Sequence, residues 1–256
     1  SLTEETTEAL YLMGEQHRIV GVSGYTVRPA IARKEKPKVS AFTSAKIDKI
    51  LDLKPDLVLG FSDMQADIAA ELVRAGVEVH IFNQRSIQEI LTMLQTLGSL
   101  IGEPEKASVL IEQFDAHLNK IKQQASELSH RPRVYFEEWY EPHICGIQWV
   151  SELIELAGGE DCFAHMAKNS LGKDRIIANA SDIIQAQPDI IIGSWCGRKF
   201  KAEKVREREG WQTIPAVKYN QLFEIKSADI LQPGPACLTD GVSQVYKIVS
   251  DWCEKQ

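Results

Sequence analysis

Residues 137–141 read Glu-Glu-Trp-Tyr-Glu, three carboxylates and two large aromatics at the end of a predicted strand, 133–137. Paired carboxylates can do acid–base work on a glycoside, but that chemistry needs a set separation across the sugar, which sequence neighbours do not establish. The same groups can receive hydrogen-bond donors or a cation, and Trp and Tyr add flat contact area with a polar handle. Binding is the preferred reading. Cys196, in Trp195-Cys196-Gly197-Arg198, follows a second predicted strand and so resembles a nucleophile position. No histidine is placed by sequence to activate it, and a small side chain in a tight turn is the better reading.

His143 and Cys145 alternate, with His165, Cys196 and Cys237 elsewhere. A zinc or other soft-metal site needs three or four such ligands converging, and this spacing has no such signature. No resident metal or cofactor is expected. His143 remains a candidate for touching the centre of a bound metal chelate, against a structural or surface role. The cysteines number 5, an odd count, and no CxxC pair occurs. No disulfide framework is needed in a domain of this size.

These residues need elements to position them, and a phrase that occurs twice supplies the frame. Ile50-Leu51-Asp52-Leu53-Lys54-Pro55-Asp56-Leu57-Val58-Leu59-Gly60 is echoed by Ile183-Ile184-Gln185-Ala186-Gln187-Pro188-Asp189-Ile190-Ile191-Ile192-Gly193. Each copy reads as a helix end, a Pro-Asp turn, a buried strand and a glycine. A second echo sets Glu8-Ala9-Leu10-Tyr11-Leu12-Met13-Gly14 against Glu152-Leu153-Ile154-Glu155-Leu156-Ala157-Gly158. Strands apolar on both faces and separated by helices predict parallel sheets. The expected fold is α/β, two similar Rossmann-like lobes joined by one long rigid helix. The expected boundaries are 1–103, a connecting helix at 104–129 opened by Pro104, and 130–256. At 1.5 Å per residue, a helix of about 25 residues spans roughly 37 Å.

In open α/β sheets ligands bind beyond the carboxyl ends of the strands. There the first lobe offers Tyr25, Phe42, Phe61, Ser62, Asn83 and Gln84, and the second offers Glu138, Trp139, Tyr140, Trp195, Arg198 and Lys226. The aromatics would line a flat slot between the lobes; the polar residues, with Glu137 and Glu141, would meet a ligand's rim. The carboxylate-rich strand end favours a neutral or cationic ligand over a strongly anionic one. Arg198, Lys199, Lys201 and Lys204 form a basic run broken by Glu203, Glu207 and Glu209. It reads as a solvated helix face, with docking of a partner protein as the alternative.

The 256 residues suffice for two modest domains. The formal charge of −7 argues against a general nucleic-acid binder. No apolar run of about 18 residues occurs, so no membrane-spanning helix is expected. Neither GxGxxG, a phosphate-binding loop nor HExxH is present. No leader is visible and no strand precedes the first helix, which leaves open whether an export signal or first strand lies upstream of Ser1; a mature exported chain would also lack a leader.

The chain resembles the solute-binding proteins of the vitamin B12 and iron-siderophore class, closest to the cobalamin-binding branch. The resemblance rests on residues 1–8 (Ser-Leu-Thr-Glu-Glu-Thr-Thr-Glu), residues 47–58 around Lys54-Pro55-Asp56, the connecting helix and residues 186–192. It implies a helical-backbone periplasmic binding protein fold with little hinge motion and no enzymatic step. It implies capture of a corrinoid or other metal chelate for delivery to an inner-membrane ABC importer permease. By the same resemblance Phe61 would pack the corrin, with Tyr25 and Trp195 nearby, and Glu71 and Glu203 would meet the permease. A monomer in the periplasm or cell envelope is implied. A ferric-siderophore binder is the first alternative; a cytoplasmic non-transport protein, or an enzyme using the cleft, is the second. Glu-Glu-Trp-Tyr-Glu and Trp-Cys-Gly-Arg-Lys depart from the pattern expected of the class.

Overall fold

The computed structural model describes residues 1–256. They form two α/β units with parallel sheets, linked by one long helix, Pro104–Ser126. The first unit comprises Ser1–Gln84, Gln88–Gln113 and Gly234–Ala236; the second comprises Arg85–Ile87, Phe114–Pro233 and Cys237–Gln256.

In the first unit β1 (Val22–Ser23) pairs in parallel with β2 (Lys38–Ser40), and β3 (Val58–Phe61) with β4 (Val79–Phe82). The β3–β4 register sets Phe61 opposite Phe82. Leu2, Val39, Ile50, Val58, Ile68 and Leu72 make the core here. The helix that leads into the first Pro-Asp phrase begins at Ile47, after Lys46. The reason is local: Ala45 bridges Ser40, so the preceding residues extend the β2 edge.

In the second unit the long strand β5 (Arg133–Tyr140) lies at the centre. One edge holds β8 (Ile190–Gly193), followed by β9 (Leu222–Glu224), both parallel. The other edge holds short parallel β7 (Glu160–Asp161) near the start and antiparallel β6 (His143–Cys145) near the end. Ile190, Ile191 and Ile192 are all fully buried, each contributing about 1.5–3 kcal/mol of apolar burial.

The two echoes fold alike. Lys54 and Gln187, each just before the proline of its copy, are both left-handed at φ 47° and 45°. Helices Glu4–Leu12 and Gln148–Leu156 both span 9 residues. Both are followed by a left-handed glycine, Gly14 at φ 76° and Gly158 at φ 90°. The glycines near the end of β3 and at the end of β8 also share a cause. A Cβ on Gly60 would stand 2.6 Å from the Ile81 side chain, and one on Gly193 would stand 2.0 Å from the Phe200 ring.

Candidate ligand-binding site

At the exit of β5 the strand carries one extra residue. Glu137 opposes Cys145 while Trp139 opposes Ile144, so Glu138 is the bulge between them. A bulge bends the strand and re-aims the side chains that follow. Glu137, before the bulge, shares the inward face of Tyr135 and is 0% exposed, while Trp139 and Tyr140 beyond the bulge are half-buried.

The three carboxylates have separate fates. Glu137 accepts two hydrogen bonds from Arg208 at 2.6 and 2.9 Å, one from Tyr135 at 3.1 Å and one from Trp195 Nε1 at 2.9 Å. His143 Nδ1 stands 3.4 Å away, an ionic approach without hydrogen-bond geometry. Burial would raise the Glu137 carboxyl, but His143 and Arg208 outweigh it and hold it below its usual range. Glu138 pairs with the buried Arg175 at 2.6 Å, and Arg175 also donates to the Cys145 and Asn169 carbonyls. Only Glu141 stays exposed and unpaired, its carbonyl accepting from Trp139 Nε1 at 2.9 Å. The expectation of a carboxylate-rich rim is thus corrected: two of the three are neutralised inside the second unit.

The aromatic side chains converge. Trp139 and Tyr140 have ring centroids 5.1 Å apart, Tyr140 and Trp195 4.5 Å, and Trp195 and Phe200 5.0 Å. Trp195 is 3% exposed and Phe200 7%, so they back a platform whose accessible rings are Trp139 and Tyr140. The Arg198 guanidinium lies 5.5 Å from the Trp139 ring and 5.9 Å from Tyr140, and it donates to the Tyr140 hydroxyl at 2.6 Å. Lys204 Nζ lies 5.2 Å from the same Tyr140 ring. Lys226 is exposed just after β9.

The first unit's named residues lie at or just beyond the ends of β1, β2, β3 and β4. Tyr25 is 68% exposed and Phe61 7%. Phe42 is half-buried, Ser62 and Gln84 are buried, and Asn83 is exposed. Ser62 is left-handed at φ 63° and its hydroxyl accepts from Met64 N. Sequence reasoning missed Gln65, which is fully buried: its Oε1 accepts from Phe61 N at 2.9 Å and its Nε2 donates to the Phe42 carbonyl at 2.8 Å. It ties the loop after β2 to the exit of β3. Glu71 and Glu203 are both exposed, and Glu203 approaches Arg206 at 3.7 Å.

Neither nucleophilic nor metal chemistry gains a foothold. The Cys196 thiol is raised from its ordinary value by desolvation and then by the charge of Glu138. Burial pushes Cys145 and Cys162 up to about 12. All five cysteines are free, and no three His, Cys, Asp or Glu side chains are grouped to hold a metal ion.

Residues 1–228 match the family model described as "Periplasmic binding protein". The chain belongs to the periplasmic binding protein family. Membership carries a transport role and no catalytic step, and this periplasmic binding protein shares the helical-backbone form whose members partner ABC importer permeases. Its family and structural neighbours are periplasmic or otherwise extracytoplasmic. No helix is long and apolar enough to cross a membrane. The chain is 27% identical over 263 residues to the uncharacterized ABC transporter substrate-binding lipoprotein YvrC of Bacillus subtilis, covering 97% of this chain and 78% of that one. It is 27% identical over 205 residues to the vitamin B12-binding protein of Yersinia pseudotuberculosis, covering 76% and 72%. The fold matches the periplasmic heme-binding protein RhuT of Roseiflexus sp. RS-1 with a TM-score of 0.80, at 20% identity, covering 96% and 97% of the two chains. The homologues thus divide between B12-binding and heme- or iron-binding branches.

Proposed function

We propose that this periplasmic binding protein captures a corrinoid, or a closely similar flat metal chelate, outside the cytoplasm and delivers it to an ABC importer. The observation that carries the reading is the Trp139–Tyr140 platform backed by Trp195. Rings in contact, tilted by 35° and 40° and backed by a buried indole, offer a flat apolar ligand a pre-formed aromatic surface, so little ordering is left for the binding step. The vitamin B12-binding relative supports the corrinoid choice. Tyr25, exposed at the end of β1, is the first unit's own candidate for contact with a solute. Glu71 and Glu203 are the carboxylates offered to the permease.

Heme or a ferric chelate is the second reading, favoured by the exposed cations Arg198 and Lys204 at the platform. The test is calorimetric titration with cyanocobalamin and hemin, the visible spectrum recorded alongside. Saturable one-to-one binding of cyanocobalamin that weakens at least about tenfold in Trp139→Ala or Tyr140→Ala supports the first reading. Hemin binding without cyanocobalamin binding moves the assignment to the second. Binding of neither overturns both.

A further inference from the structure

The cations at the platform make no ion pairs. Arg198, Lys199, Lys201 and Lys204 are all exposed, and none makes an ion pair within 4.0 Å. Of the nearby carboxylates Glu137 pairs with Arg208, Glu138 with Arg175 and Glu203 with Arg206, while Glu207 and Glu209, further along the same run, are exposed. Glu224 Oε1 accepts from Phe200 N at 2.9 Å. Glu141 is the one exposed carboxylate on the β5–β6 turn. Arg198 is nonetheless held in place, because its guanidinium lies against two rings and donates to a phenol oxygen. A guanidinium has five donors in a fixed fork, and this one spends a single donor on Tyr140, so the fork can take a bidentate oxyanion. Lys204, whose Nζ lies 5.2 Å from the same ring, adds a second positive charge.

We infer that the ligand carries an anionic group on the edge of its flat face, and that Arg198 and Lys204 determine specificity by receiving it. This rests on the proposed function for the flat face and adds the charge. The shared chemistry is an oxyanion: a phosphodiester on a corrinoid or carboxylates on a porphyrin. The sequence expectation of a neutral or cationic ligand counted glutamates that the fold neutralises internally.

The test compares matched pairs that differ in the anion: cyanocobalamin with cobinamide, which lacks the nucleotide phosphodiester, and hemin with its dimethyl ester. Whichever family binds, the anion-bearing member is expected to bind at least about tenfold tighter. Arg198→Ala is expected to remove most of that preference, and Lys204→Ala to act in the same direction. The preference should shrink with added salt, because the site is exposed. Equal affinity within the pair that binds, or an Arg198→Ala loss equal for both members, overturns the inference and leaves the proposed function standing. If neither pair binds, the proposed function fails. The charge is then read with pyrenetetrasulfonate against neutral hydroxymethylpyrene, by quenching of tryptophan emission. Saturable quenching by the tetrasulfonate alone, reduced in Arg198→Ala, supports the oxyanion site; its absence overturns it.

Discussion

Trp195 Nε1 donates to Glu137 Oε1 at 2.9 Å, and the same carboxylate takes two hydrogen bonds from Arg208. A fully buried acid thus holds the ring that backs the accessible aromatics. Glu137→Gln keeps the shape, removes the charge and leaves Arg208, 16% exposed, without its partner. Breaking one side of a buried pair costs about 3 kcal/mol or more, so urea unfolding at pH 7 should show a loss of that size. The Glu137 carboxyl is held below its ordinary value of 4.5. A depressed carboxylate contributes stability that is present above the ordinary value and lost as pH falls through the folded one. The gap between the wild type and Glu137→Gln should therefore narrow only below about pH 4.5. A gap independent of pH would contradict this account.

Glu4 titrates in the opposite sense. It is 4% exposed, and burial, with help from the charges of Glu8 and Glu5, raises it to about 7 despite a hydrogen bond from Val27 N. The folded chain then holds the extra proton between pH 4.5 and about 7. Stability falls as pH rises through that window, and the penalty is complete above it. Glu4→Gln should be nearly neutral at pH 4.5 and stabilising at pH 8, by at most about 3 kcal/mol. Thermal melts across that range measure the difference, and an unchanged pH profile would remove Glu4 as its source.

Gly193→Ala should damage the second unit through packing. The added carbon would stand 2.0 Å from the Phe200 ring, which must move and take its contact with Trp195 along. Overpacking of this kind costs about 1–3 kcal/mol. The expected readout is lower stability together with altered tryptophan emission. Lower stability with unchanged emission would mean that the strain is absorbed elsewhere.

Lys54→Gly should stabilise the first unit. Lys54 is left-handed at φ 47°, a conformation that costs a side-chain-bearing residue about 1–2 kcal/mol. Glycine's extra unfolded-state freedom offsets part of the gain, leaving about 0.5–1 kcal/mol. Gln187→Gly should gain less, because Gln187 Nε2 donates to the Ile184 carbonyl at 2.7 Å. Denaturant midpoints compare the two, and a loss at Lys54 would refute the strain argument.

The paired Pro-Asp phrases were legible because strand burial and turn chemistry leave local marks: apolar runs, a proline, a glycine. The aromatics at the end of β5 and after β8 could be named as ligand candidates for the same reason. The bulge at Glu138 left no such mark, since it is set by pairing with β6. The engagement of Glu138 depends on Arg175, 37 residues away in sequence. Gln65 reads as an ordinary polar residue before a helix, and only the fold brings it to the loop of Phe42.

The loop after β8 is pinned at both ends. Trp195 is held by Glu137, while Phe200 fills the space that Gly193 leaves open and its amide is bound by Glu224. Arg198, whose amide closes a turn onto the Trp195 carbonyl at 2.9 Å, is carried by a clip and not by a tether. Its ordering is completed while the chain folds, before any solute arrives. Capture then waits for no rearrangement of this loop, so changes here should show in how long a solute stays more than in how fast it lands.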